Sequence, residues 1–332
     1  MATIFKTLLN NDVAMTRTLL NEAIPITGTV VSGTYNNDGN IKTYIHGMFE
    51  SVYDYPYLSS SANHIFDISY GYASELSGAY PMNAKKMNIY NQMAQILVGY
   101  DQTGSIRKFD SDGNWLGASA VSGVMDACVF LNYSRLLVKD EIKKQSYTLT
   151  LQSGSTFHTI GDYGANNDYR VNSPAGEFGL LYTSSASPYG DSVGLLFYQA
   201  GIAVLTASAA IFSGSTSTGP PSWLTSSTIT GAANEVRAAW DDNDFQNTTE
   251  LNSTIYFCRA SNNEYNYSAN QTYLSQSQII VKNNNVAQPP SAYITTIGMY
   301  SPDNELLAVA KLSEPLKKDP ATELIFRVRL DY

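Results

Sequence analysis

The residues with the most chemical promise stand in two acidic knots. In FDSDGN, Asp110, Asp112 and Asn114 occupy alternate positions, the spacing with which calcium loops present oxygen ligands to a hard cation. Such loops place glycine sixth and a bidentate glutamate twelfth; here Gly113 comes early and the twelfth position is Val121, so a polar turn is expected. WDDNDFQN sets Asp241, Asp242 and Asp244 beside Trp240. Carboxylate pairs about 5 to 10 Å apart across a cleft hydrolyse glycosides. Asp and Asn are equally what turns are made from, and a polar turn is again the expectation. His46, His64 and His158 show no metal-ligand spacing, and the phosphate-loop, nucleophile-elbow and zinc-protease signatures do not occur. The chain is therefore expected not to be an enzyme, with no catalytic residue, metal ligand or cofactor to nominate.

Aromatic residues are the other candidates. There are 24 tyrosines against 12 phenylalanines, so many rings carry a hydroxyl suited to a boundary between apolar and wet surroundings. Two clusters stand out: Tyr53, Tyr55 and Tyr57 in the first, and Tyr265, Tyr267 and Tyr273 within SNNEYNYSANQTYL in the second. Both sugar-binding faces and protein interfaces use such rings. Neither cluster holds the tryptophan usual in a glycan site, which favours an interface.

Composition points the same way. Only 15% of residues are charged, against roughly 25% in an ordinary soluble domain, and Asn, Ser, Thr and Tyr fill the polar positions. Burying an amide or hydroxyl costs less than burying an ion, which suits a chain that meets other proteins over much of its surface. The net charge of −9 and the lack of any basic run beyond a pair argue against nucleic acid. Cys128 and Cys258 sit in apolar runs and read as small buried hydrophobes. The N-terminal segment has no basic stretch leading into an apolar one, so synthesis in a reducing cytoplasm is expected. The sequons at Asn132, Asn247, Asn252, Asn266 and Asn270 are no more than so much Asn, Ser and Thr produces by chance. The uncharged run Val193–Phe212 is long enough to span a bilayer, but the YQAG turn signal at its centre makes it two buried strands instead.

The elements that must position these residues follow from periodicity. Asp12 can cap a helix presenting Val13, Thr16, Leu19, Leu20 and Ala23, ended by Pro25. NAKKMNIYNQMAQILVGY has a clear helical repeat, whereas HIFDISYGY and KKQSYTLTLQ read as strands; DACVFLNYSRLLV fits helix or strand. From about Ser153 onward the signals are almost all β, with strands expected at Phe178–Tyr182, Val193–Tyr198, Ile202–Leu205, Thr254–Cys258, Ile279–Val281 and Ile294–Tyr300. Pro302 fits the second position of a turn starting at Ser301, and ELIFRVRLDY alternates as a terminal strand. The expectation is a mainly β (α+β) chain with β-sandwich-like sheets and a few short helices in its N-terminal half. Its expected regions are residues 1–152, mixed α/β, and 153–332, β-rich.

The segments FKTLLNNDVAMTRTLLNEAIPITGTVVSGTY, HGMFESVYDYPYLSSSANHIFDISYGY and KKMNIYNQMAQILVGYD, with NNEYNYSANQTYL and the C-terminal stretch YITTIGMYSPDNELLAVAKLSEPLKKDPATELIFRVRLDY, resemble virion structural proteins of tailed phages. The likeness is to T4-like myoviruses, including those of marine cyanobacteria, and Gly154 to Trp240 carries less of it. What the resemblance implies is a non-enzymatic subunit of the tail or baseplate, made in the host cytoplasm and present in symmetry-related copies. Its partners would be other virion proteins, with no nucleic acid and no membrane. A neck or connector position is the alternative within this class, and a host-receptor or glycan-binding tail-fibre protein the alternative outside it. In this setting the six tyrosines become candidate interface anchors.

Overall fold

The computed structural model describes residues 5–26, 38–74, 83–115, 123–153, 155–186, 189–207, 228–267, 274–275, 278–279 and 291–332. It is mostly β, 49% strand and 15% helix, built on a large antiparallel sheet. The chain divides into a larger unit, residues 19–249, and a smaller one made of 1–18 and 250–332. The division expected near Ser153 falls inside the larger unit, in the hairpin of Thr148–Ser153 with Thr156–Gly161.

In the larger unit the strands follow one another as Thr148–Ser153, Thr156–Gly161, Phe178–Tyr182, Ser192–Phe197, Ile202–Thr206, Ala127–Tyr133, His64–Tyr72, Phe49–Tyr53 and Ile41–Thr43. Its central strands are buried on both faces, which explains runs such as CVFL and VGLLF that do not alternate with polar residues. Cys128 and Phe130 face one apolar layer with Tyr90, Leu97 and Phe109; Ala127, Val129 and Leu131 face the other with Ala232, Val236 and Trp240. The helix Asn83–Leu97 covers the first side and packs on His64–Tyr72. It comes so close that a Cβ on Gly71 would lie 2.6 Å from the Lys86 carbonyl oxygen and 2.7 Å from the Tyr90 nitrogen. Glycine is what lets the two backbones meet there.

The second layer is covered by the helix Ile229–Ala238, within the stretch whose signals read as almost all β. Its start is capped by Thr228, whose hydroxyl accepts from the Gly231 N–H at 3.0 Å. Ile229, Ala232, Ala233 and Val236 recur at helical spacing and are buried. Arg237 brings a charge inward beside the buried Glu50, with N···O 3.3 Å. Trp240 then stacks on Phe66, ring centres 4.7 Å apart.

The expected N-terminal helix is instead a short 3-10 turn, Asn10–Asp12, leading into a strand, Val13–Pro25. The spacing of Val13, Thr16, Leu19, Leu20 and Ala23 did not decide its structure, because it packs no helical face on the core: Met15, Leu19 and Leu20 are exposed. Pairing with distant chain decides it. In the larger unit Thr248 donates to Asn21 and the Glu22 N–H to Asn247; in the smaller, Arg17 pairs with Glu250. Asp12 does not cap a helix but accepts from the Leu9 N–H and from Arg259 Nε, at 3.1 and 2.7 Å.

Two other expectations hold. DACVFLNYSRLLV divides into the strand Ala127–Tyr133 and a short helix, Arg135–Val138. The uncharged run from Val193 contains two strands, with Gly201 at φ +66 where the chain reverses. Among the described residues no helix is long and apolar enough to cross a membrane. Cys128 and Cys258 are both free; Cys128 is buried as expected, whereas Cys258, on a strand of the smaller unit, is only half-buried.

The smaller unit contains the terminal strand Leu324–Asp331, paired antiparallel with the second half of Trp240–Ala260. Leu324, Phe326, Val328 and Leu330 are its less exposed face, as alternation requires. It also contains a separate two-stranded hairpin, Ala292–Tyr300 with Leu306–Lys318. The Ser301 carbonyl accepts from the Asn304 N–H at 3.0 Å, so Pro302 stands where the turn was expected to hold it.

Candidate interaction surface

Each tyrosine cluster lies in a different unit. Tyr53 ends the strand Phe49–Tyr53, where a bulge sets it opposite His64. Its ring lies 5.6 Å from the His64 ring and 6.4 Å from that of Tyr57. Burial raises the Tyr53 hydroxyl above the usual phenol range, helped by the neighbouring Tyr44 hydroxyl. Tyr55 is half-buried, Tyr57 is exposed, and Leu58 beside it is almost fully so. Tyr44, His46 and Phe49 form a second aromatic group close by in sequence, with ring centres about 5 Å apart.

Tyr265 and Tyr267 are exposed on a turn that follows the long strand, and Tyr265 has φ +54, a left-handed conformation. That turn is tied down by ions. Glu264 accepts from the Ser261 N–H and pairs with Lys6. The Lys318 ammonium, wholly buried, donates to Asn266 Oδ1 at 2.7 Å, to the Asp319 carbonyl at 2.9 Å and to the Asn262 carbonyl at 3.2 Å. Three donors thus meet three acceptors, and a buried charge is kept by complete hydrogen bonding. Tyr273 lies outside the described residues.

The acidic knots divide in outcome. Asp110 to Gly113 is the expected turn: the Gly113 N–H donates to the Asp110 carbonyl at 3.0 Å, and Gly113 has φ +67. Burial, with the neighbouring Asp112 carboxyl, lifts the Asp110 carboxyl to about 6. The turn expected at Asp241 to Asp244 is instead strand, paired with Leu149 to Leu151 and Thr148 through a bulge between Trp240 and Asp242. Asp241 is exposed at the bulge, and beyond it the chain alternates: Asn243, Phe245 and Asn247 are buried and Asp242, Asp244 and Gln246 half-buried, with Asn243 donating to the Thr148 carbonyl at 2.7 Å. Among the described residues no group of three His, Cys, Asp or Glu side chains is arranged to hold a metal ion.

Sequence reading missed Asp162, the most perturbed carboxyl among the described residues of the larger unit. It sits at the end of the strand Thr156–Gly161 and accepts from the Gln145 N–H (2.7 Å), the Tyr147 N–H (3.0 Å) and the Tyr198 hydroxyl (3.0 Å). The Tyr147 hydroxyl in turn lies 2.6 Å from that of Tyr133. Burial pushes the Asp162 carboxyl up to about 7 against the pull of those donors. Its partners are backbone and buried phenols, so the cluster fastens neighbouring strands together. Two hollows in the larger unit, about 250 Å³ at Asp244 and Phe245 and about 210 Å³ at His64 and Leu136, fall below the size usual for small-molecule sites.

The smaller unit has a different character. Among its described residues only Ile255, Ala260, Ala292 and Val328 are buried hydrophobics, against fifteen large exposed ones. The exposed set concentrates on the hairpin, where Tyr293 is 59% and Leu307 69% accessible, joined by Tyr300, Leu306, Val309 and Leu316. Phe5 lies edge-on to Tyr300 at 4.9 Å. The unit carries nine basic and nine acidic residues, so the whole charge of −9 belongs to the larger unit. A neutral surface with this much apolar area is suited to being covered by protein. No family model, no curated protein and no solved structure is significantly similar to the chain.

Proposed function

We propose that the chain is a non-enzymatic structural subunit of a tailed-phage virion, acting in the tail or baseplate through protein–protein contacts. The observation that carries the assembly role is the smaller unit, with four buried hydrophobics among its described residues and an exposed apolar hairpin. A two-stranded ribbon is marginal in water by itself, and one that exposes this many large apolar side chains is a place where another chain docks. The virion setting rests on the resemblance of both ends of the chain to phage structural proteins. A neck position would use the same contacts and differ only in neighbours.

The test is quantitative mass spectrometry of purified particles from a phage that encodes this chain. The expected result is a fixed number of copies per particle, scaling with known tail proteins. Complete, tailed particles that lack the chain would contradict the proposal.

A further inference from the structure

The two strands of the hairpin present different outer edges. Leu306–Lys318 is defended: Pro315 removes an N–H, and Lys311, Glu314 and Lys317 place charges along the strand. Its register also slips, residues 312–315 lying against Thr295 alone between the pairs Ile294 with Leu316 and Thr296 with Lys311. Prolines, charges and bulges are the devices that keep an edge from recruiting another strand. Ala292–Tyr300, AYITTIGMY, has neither charge nor proline, is rich in β-branched and aromatic residues, and pairs with no other described strand.

We propose that this edge pairs antiparallel with the same strand of a second copy of the chain, about a two-fold axis at Thr296. The inference rests on the assembly role proposed above and names its partner. An isologous pairing sets each residue against a counterpart from the same nine-residue segment. Around Thr296 it opposes Tyr293 to Met299, Ile294 to Gly298 and Thr295 to Ile297, so no charge meets a like charge. The balanced charge of the smaller unit removes the net repulsion that would keep two copies of it apart. Joining two ribbons makes a four-stranded sheet, past the size at which a sheet holds together in water.

Sedimentation velocity on the full chain tests this with Thr296→Lys, Thr296→Glu and an equimolar mixture of the two. Thr296 is exposed, so neither variant disturbs a core, and circular dichroism checks that both fold. The expected result is a two-chain species for the unaltered protein across the micromolar range, a single chain for each variant, and two-chain species again in the mixture. A unaltered protein that stays a single chain, or variants that dimerise undiminished, would overturn the pairing. A chain found in particles but monomeric alone removes only the pairing; one that dimerises but is missing from particles removes the virion reading.

Discussion

Lys318 and Asn266, 52 residues apart, meet in a 2.7 Å hydrogen bond that fixes the turn bearing Tyr265 and Tyr267 to the end of the C-terminal hairpin. The lysine is buried, and its ammonium donates to three oxygens. Lys318→Met keeps the length of the stem and removes the donors. It should lower stability by about 1–3 kcal/mol, as the loss of hydrogen bonds from a charged donor does. Hydrogen exchange at residues 261–267 should rise with it, while the helix Asn83–Leu97 should be unaffected.

Asp162 makes stability depend on pH in the direction opposite to most carboxylates. Its folded value of about 7 lies above an unfolded value of about 3.9. The folded state therefore binds the proton more tightly, and this contribution is full below about pH 4 and lost as pH rises through about 7. Asp162→Asn should flatten that decline in urea-unfolding midpoints, at some cost because its amide nitrogen must meet the N–H of either Gln145 or Tyr147. Asp162→Ala, which leaves the Gln145 and Tyr147 amides and the Tyr198 hydroxyl without their acceptor, should cost about 2–5 kcal/mol.

Gly71→Ala tests the packing of helix on sheet. The new methyl would lie within 3 Å of two backbone atoms of the helix Asn83–Leu97, which cannot yield as a flexible side chain would. Forcing the layers apart should cost about 2–4 kcal/mol, read as a lowered thermal midpoint. Gly47→Ala, where nothing lies within 4 Å but φ is +61, should cost only about 1 kcal/mol.

The two thiols should separate by reactivity. Burial raises both above the usual thiol range, Cys128 far more. In the folded protein a thiol reagent should label Cys258 slowly and Cys128 only at the rate of unfolding. Equal rates would mean that the layer holding Cys128 opens more readily than its burial implies.

Much of this fold was legible where the local pattern and the tertiary outcome agree. The terminal strand, the helix Asn83–Leu97, the reversal at Gly201 and the turn at Pro302 all follow from short-range rules. Val13–Pro25 was misread because its apolar spacing also fits a helix, and only its pairing with residues far along the chain decides. The helix Ile229–Ala238 had its signal in Thr228 and the Ile229–Ala232–Ala233–Val236 spacing, passed over in a stretch whose other signals are β. Asp162 was invisible because DYG looks like any turn, and its environment comes from Gln145, Tyr147 and Tyr198. Of the nominated tyrosines, Tyr57, Tyr265 and Tyr267 are exposed, but the broader apolar surface is the hairpin, whose exposure no sequence pattern announced.

The most direct test of the assembly role is an electron cryomicroscopy map of intact particles with this chain traced in it. The expected result is the hairpin Ala292–Lys318 buried against a neighbouring subunit, its exposed tyrosines and leucines covered. A chain that sits in the particle with that hairpin bare to solvent would contradict the account.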